Sequence, residues 1–302
     1  MKKYILYILI GIAVVYSGCD KPSPTELIND PHVSENLDLE IITKDINNEF
    51  YSNGFDTSGI TVDIRNYASI ISVSGIKLTR NGRTDNISSA LTFLFDKSKP
   101  FKYNGTILGY NTITPGIIKF NDVTARLTNY RVRYREGGVF IDTVLGKKYE
   151  LFNINGSLFN DQFTFPYNSS IAFFYNPFIG QSMSFDISTP YEITGNVQFV
   201  KTQNQNNFNA ELNWDAGNTN KFSIIIGGIR TSNEQNFPFF RIKTRDDGHI
   251  VIPNSILKNI PRNIFGKISF TFIRKFDKLT NLQNTDLYVV SQSIHTIIVE
   301  IP

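Results

Sequence analysis

From Leu37 onward, apolar and polar residues alternate along much of the chain. Ile60, Val62 and Ile64 alternate with Thr61, Asp63 and Arg65, and Tyr130, Val132 and Tyr134 with Arg131, Arg133 and Arg135. The same period returns at Ala210-Leu212-Trp214, Ile268-Phe270-Phe272 and Ile297-Val299-Ile301. Successive side chains of a strand point to opposite faces, so each stretch predicts a strand with one face buried. Turn signals fall between them: Asn81-Gly82, Asn104-Gly105, Gly137-Gly138, Asn155-Gly156 and Asp247-Gly248, residue pairs that tolerate positive φ. No long helical period is present, and one short helical turn is expected at 254–259, closed by Pro261. The expectation is an all-β fold of two β-sandwich-like units, 37–180 and 190–302, with Pro177, Gly180 and Pro190 marking the boundary.

The N-terminus follows another pattern. Lys2 and Lys3 precede an apolar run from Tyr4 to Tyr16, and Ser17-Gly18-Cys19 closes it with small residues. This is the plan of a secretory signal, and the run falls short of the ~20 residues that cross a bilayer. Val15-Tyr16-Ser17-Gly18-Cys19 resembles the lipobox of bacterial lipoproteins, in which small residues precede an invariant Cys that is acylated before cleavage. Tyr16 departs from that pattern, where Leu, Val, Ile or Ala is commoner. The resemblance implies a signal peptide over 1–18 and a lipid-modified (palmitate-bearing) Cys19. It also implies anchorage in the bacterial cell envelope, with the outer membrane favoured. Residues 19–36, punctuated by Pro22, Pro24 and Pro31, read as a flexible tether with a reach of roughly 50 Å.

Two further likenesses lie downstream. Glu211-Leu212-Asn213-Trp214, the polar stretch 215–220 and Phe222 to Ile226 resemble an early hairpin of fibronectin type III domains, and so imply an immunoglobulin-like C-terminal sandwich with Trp214 between its sheets. The stretch from Asp246 to Pro261 is similar to C-terminal regions of uncharacterised envelope lipoproteins and implies no activity.

Composition narrows the functional classes. Of 302 residues, 19% are charged, below the usual quarter, and the net charge of +3 falls to about +1 once Lys2 and Lys3 leave with the signal. So small a charge supplies no field to steer nucleic acid. Aromatic content is led by 25 Phe against 1 Trp, which favours a packed β core over a sugar-stacking platform. The single Cys excludes an intramolecular disulfide.

Few constellations suggest chemistry. His32, His249 and His295 belong to no spaced metal motif, and neither a metal nor a cofactor is expected. Gly180-Gln181-Ser182-Met183-Ser184 lacks the second glycine of a nucleophile elbow. Asp246-Asp247-Gly248 reads as a hairpin turn in preference to a calcium loop, because Ile250 and Ile252 follow where oxygen ligands would be needed. Arg131, Arg133 and Arg135 share one strand face at about 6.7 Å spacing, with Arg126 nearby, and form a candidate grip on phosphate or carboxylate. A two-residue turn at Gly137-Gly138 would set Arg133 opposite Asp142 and Tyr134 opposite Ile141, pairing one of those charges. Phe165, Tyr167, Phe173, Phe174, Tyr175 and Phe178 crowd together with Pro166 and Pro177. Exposed, with Tyr167, Phe174 and Tyr175 as contact residues, the cluster would meet a protein or glycan; buried, it would form the seam between the units.

The expected function is therefore a lipid-anchored envelope protein with a non-catalytic binding or structural role. Its expected partners are the membrane, through the anchor, and another envelope protein or a glycan. A carbohydrate-binding accessory lipoprotein is one alternative. A glycoside-type hydrolase, which would need two carboxylates about 5–9.5 Å apart in a cleft, is the last.

Overall fold

The computed structural model describes residues 38–41 and 69–302, except 138, 155–160, 203–206, 218, 220, 233, 235 and 283–284. The signal, Cys19, the tether, His32, the Ile60–Ile64 alternation and the Asn155-Gly156 turn lie outside the described residues. The described chain is all-β, in sandwich-like layers, with one short helix.

The largest sheet carries ten strands. Its path runs β1 (Asp38–Ile41), β14 (Asn236–Thr244), β13 (Phe222–Arg230), β16 (Phe265–Leu282), β17 (Thr285–Glu300), β2 (Ser69–Arg80), β3 (Arg83–Tyr103), β8 (Val139–Ile154) and β7 (Arg126–Glu136). The tenth, β4 (Thr106–Thr112), pairs the far half of β3. A four-stranded sheet follows the order β10 (Met183–Ser188), β9 (Ser170–Pro177), β5 (Gly116–Phe120) and β6 (Val123–Thr124). A three-stranded sheet holds β11 (Gly195–Lys201), β12 (Phe208–Trp214) and β15 (His249–Ile252). Helix α1 (Asn254–Leu257) follows β15 and buries Ile256 and Leu257.

Period two decides how these sheets stack. On β2 and β17, Ile71, Val73, Leu287 and Val289 face the four-stranded sheet and join Ile118, Phe120, Ile171 and Phe173 in one core. On β16 the same face presents Phe270 to Phe199 and Phe272 to Trp214, so the three-stranded sheet covers the adjoining part of that face. Each such side chain, fully buried, contributes roughly 1.5–3 kcal/mol. On the opposite face Ile70, Phe93, Tyr288 and Val290 pack with Tyr130, Val132 and Leu145.

The turn residues behave as their chemistry demands. Asn81-Gly82 (φ 51° and 75°) joins β2 to β3, and Asn104-Gly105 (φ 46° and 78°) joins β3 to β4. The β7–β8 hairpin has the expected register, with Arg133 opposite Asp142 and Tyr134 opposite Ile141. A bulge follows at Tyr130/Arg131, where Gly146 (φ 132°) relieves the opposing strand.

The large sheet does not follow the expected division at 180–190. Its C-terminal strand β17 pairs parallel with β2 over twelve register positions, from Leu287↔Ser69 to Ile298↔Arg80. Leu37–Pro302 accordingly forms one compact unit. Pro177 ends β9, Gly180 lies in the β9–β10 connection and Pro190 follows β10, where proline's missing N–H disturbs no ladder. Asp247-Gly248 makes no hairpin either. It carries the chain from β14 in the large sheet to β15 in the three-stranded sheet. Likewise β12 and β13 do not pair; they lie in different sheets, with Trp214 stacked on Phe222 at 4.7 Å.

Candidate functional site

Buried polar groups are the natural place to look for chemistry, and the most enclosed ion pair among the described residues is Arg274–Asp246. Arg274 lies on the covered face of β16, and its side chain and that of Asp246 are 1% and 0% exposed. The guanidinium donates Nε–H to Asp246 Oδ2 at 2.8 Å and an Nη2 hydrogen to Oδ1 at 2.9 Å. Its other hydrogens reach the carbonyls of Tyr191, Glu192 and Asp215. Asp246 also accepts from Trp214 Nε1 and Thr219 Oγ1. Burial pushes the Asp246 carboxyl up. The hydrogen bonds and charge of Arg274, with those from Thr219 and Trp214, outweigh it and hold the group below the usual carboxylate range. Gly217 permits this approach, since a Cβ there would fall 2.5 Å from the guanidinium carbon. Every donor and acceptor is spent on the fold, leaving none for a substrate.

His295, on β17, is held in the same way. Its Nδ1 accepts from the Gly195 N–H at 2.8 Å, so the Nε2 hydrogen faces Thr79 Oγ1 at 2.9 Å. Burial, then the charge of Lys77, pushes its pKa down to about 4. The ring is neutral at pH 7 and ties β11 to the large sheet. His249 is exposed at the start of β15.

The arginine stripe divides. On β7 the even-numbered Tyr130 and Val132 face the core, so Arg131 takes the opposite face. The side chains of Arg133 and Arg135 lie outside the described residues, and Arg131 is exposed. Arg126 belongs to the even set and therefore to the other face, where its Nε approaches Asp161 at 3.4 Å. The structure does not bring Arg126 together with Arg131.

The aromatic cluster divides as well. Phe163, Phe165, Phe173 and Tyr175 are buried in the core between the large and four-stranded sheets. The seam is thus between stacked sheets of one unit. Tyr167 packs edge-on to Phe165 at 5.1 Å; burial, then the charge of Glu192, pushes its hydroxyl above the ordinary range. Phe174 is half-buried, and Trp214 is enclosed between sheets. Of the rings expected as contact residues, Tyr175 offers no open face.

No family model, curated protein or solved structure matches the chain.

What the cluster leaves outside is its tip. Phe178 and Ile179, in the β9–β10 connection, are 74% and 94% exposed. Ile113 and Ile117 stand exposed on the neighbouring segment, to which Phe178 is tied by its N–H bond to the Pro115 carbonyl at 2.7 Å. The base of this tip is rigid. A Cβ at Gly116 would meet the Asn176 carbonyl oxygen at 2.2 Å, so only glycine lets β5 and β9 close so tightly. Tyr149 Oη clamps the Gly116 carbonyl from below at 2.7 Å. Pro177 and Gly180 bracketing Phe178-Ile179 were the available sequence signal for a protruding tip.

Proposed function

We propose that this chain is a lipid-anchored protein of the bacterial cell envelope with a non-catalytic binding role, and that it docks another envelope protein through the apolar tip around Phe178 and Ile179. The lipobox-like Val15–Cys19 supports the anchor. The observation that carries the docking role is the tip itself: two large apolar side chains almost fully in solvent, on a base locked by Gly116 and Tyr149. Burying Phe and Ile at an interface contributes roughly 1.5–3 kcal/mol each, and a rigid base keeps the ordering cost of docking low.

The test separates anchor from tip. Labelled palmitate is expected in the wild-type protein and absent from Cys19→Ala. Capture of the intact protein from gently solubilised envelopes is expected to bring down a stoichiometric protein partner, and Phe178→Asp with Ile179→Asp to lose it while keeping palmitate. Because both positions are exposed, the double substitution should leave stability within about 0.5 kcal/mol. A partner retained by the folded double variant would overturn the docking role, and an unlabelled wild type would overturn the anchor.

A further inference from the structure

The face of the large sheet opposite Arg274 carries a second set of cations, arranged quite differently. Strand alternation puts Lys275 on this face, with Arg241 and Lys243 of β14 and Lys221 at the entry to β13. Lys243 stands opposite Ser223, which stands opposite Ile273; Lys221 lies beside Lys275 through the Lys275 N–H to Lys221 carbonyl bond at 3.1 Å. Two carboxylates serve the four. Asp277 holds Lys221 at 2.6 Å and stands 3.8 Å from Lys275, while Glu40 of β1 holds Arg241 at 3.0 Å and stands 3.7 Å from Lys243. Asp38 stands opposite Lys243 at the outer edge.

These contacts leave donors unused. The ammonium of Lys275, with a side chain only 19% exposed, has no hydrogen-bond partner among the described residues. Arg241, 8% exposed, gives an Nη1 hydrogen to Glu40, yet its buried Nε–H has no partner among the described residues. A buried donor left unmade costs about 1–3 kcal/mol, more when charged. Charge repeats the imbalance. Burial pushes the Lys275 ammonium down, Lys221, Arg241 and Lys243 push it the same way, and of the charged groups around it only Asp277 opposes. Lys221 and Lys243, both more than half exposed, form a rim open to solvent above the two enclosed cations.

The geometry points to a binding site for a phosphate-bearing anion at Arg241, Lys243 and Lys275, with Lys221 on its rim. Phosphate oxygens would accept from the Lys275 and Lys243 ammoniums, with the Arg241 guanidinium adding its charge, and would balance the surplus positive charge. Free phosphates and lipid headgroups share this chemistry. The inference is independent of the apolar tip, which lies in the four-stranded sheet.

The test is calorimetric titration of the full-length detergent-solubilised protein, at fixed ionic strength and pH 7, with inorganic phosphate and separately with a short-chain soluble phosphatidic acid. Saturable binding of inorganic phosphate identifies a free phosphate as the source. Binding of the lipid alone identifies a headgroup. In either case Lys243→Gln with Lys275→Gln, checked for folding by circular dichroism, is expected to weaken binding by about tenfold or more. Binding of neither probe above a chloride control, or equal binding by the folded double variant, would overturn the site.

Discussion

Arg274 and Lys275 are neighbours on β16, and the single step between them carries a cation from one face of the sheet to the other. Arg274 meets a carboxylate bidentately and three carbonyls, in a pocket without solvent. Lys275 meets one shared carboxylate at 3.8 Å and three like charges. A charge wholly used up by its own fold is structural, whereas a buried charge with unused donors, open to solvent on one side, has capacity for something else. Exposure alone, 1% for Arg274 against 19% for Lys275, does not say which charge is spent. Hydrogen-bond bookkeeping does.

Breaking the satisfied side should have the largest effect. Asp246→Asn leaves Arg274 buried without its countercharge, a change that typically costs about 3–5 kcal/mol. Arg274→Met strands Asp246 in the same way and should cost a similar amount; the double variant should cost clearly less than the sum, because each single change already breaks the pair. Urea denaturation of the four species measures this. Additive losses would mean that the bridge is not the unit of stability described here.

His295 provides the next test, on the same covered face. Its folded pKa of about 4 lies below the unfolded value of 6.5. The unfolded state therefore binds the extra proton first, and stability present above pH 6.5 is lost as pH falls towards 4. The loss should reach ~3 kcal/mol across that window. His295→Gln should lower stability at neutral pH and flatten the slope between those values. Asp246, depressed below its usual range, adds its own loss only further down, as pH falls below the unfolded value near 3.8. An unchanged slope in His295→Gln would assign the acid sensitivity elsewhere.

How much of this was legible in the sequence depends on the distance between partners. Local pairings were: Asn81-Gly82 set hairpin register through backbone chemistry within two residues, β7 and β8 paired in the expected register, and α1 formed within the span expected at 254–259. Alternation at Ala210-Leu212-Trp214 and Ile268-Phe270-Phe272 correctly marked buried faces. Distant pairings were not legible. Nothing in 69–80 announces that it will lie parallel to 287–298, because period two is the same whichever strand is the neighbour. Asp246 looked like a turn residue since its partner Arg274 is two strands away in the chain. The stripe of arginines drew notice because it is consecutive on one strand, while Lys221, Arg241, Lys243 and Lys275 come together only through the β14–β13–β16 register.

The smallest expected effect falls on the unsatisfied side and sharpens the contrast most. Lys275→Met removes an ammonium that has no hydrogen-bond partner to strand among the described residues and keeps the length of the side chain to fill the same space. Replacing a poorly paired buried charge with an apolar side chain of similar volume is often neutral or stabilising, so stability at pH 7 should be unchanged or higher by up to ~1 kcal/mol. The pH dependence gives a second reading. Lys275 has a folded pKa below its unfolded 10.5, so the wild type should gain stability as pH rises through the folded pKa towards 10.5, with the gain fully present above it. Lys275→Met should lack that rise. Asp277 keeps Lys221 at 2.6 Å and the Tyr288 hydroxyl at 3.0 Å, so it is not left bare by the change. A loss of 2 kcal/mol or more, on the scale of a broken buried hydrogen bond, would show that Lys275 is held as firmly as Arg274, and the distinction between a spent cation and a spare one would fail at the very pair that defines it.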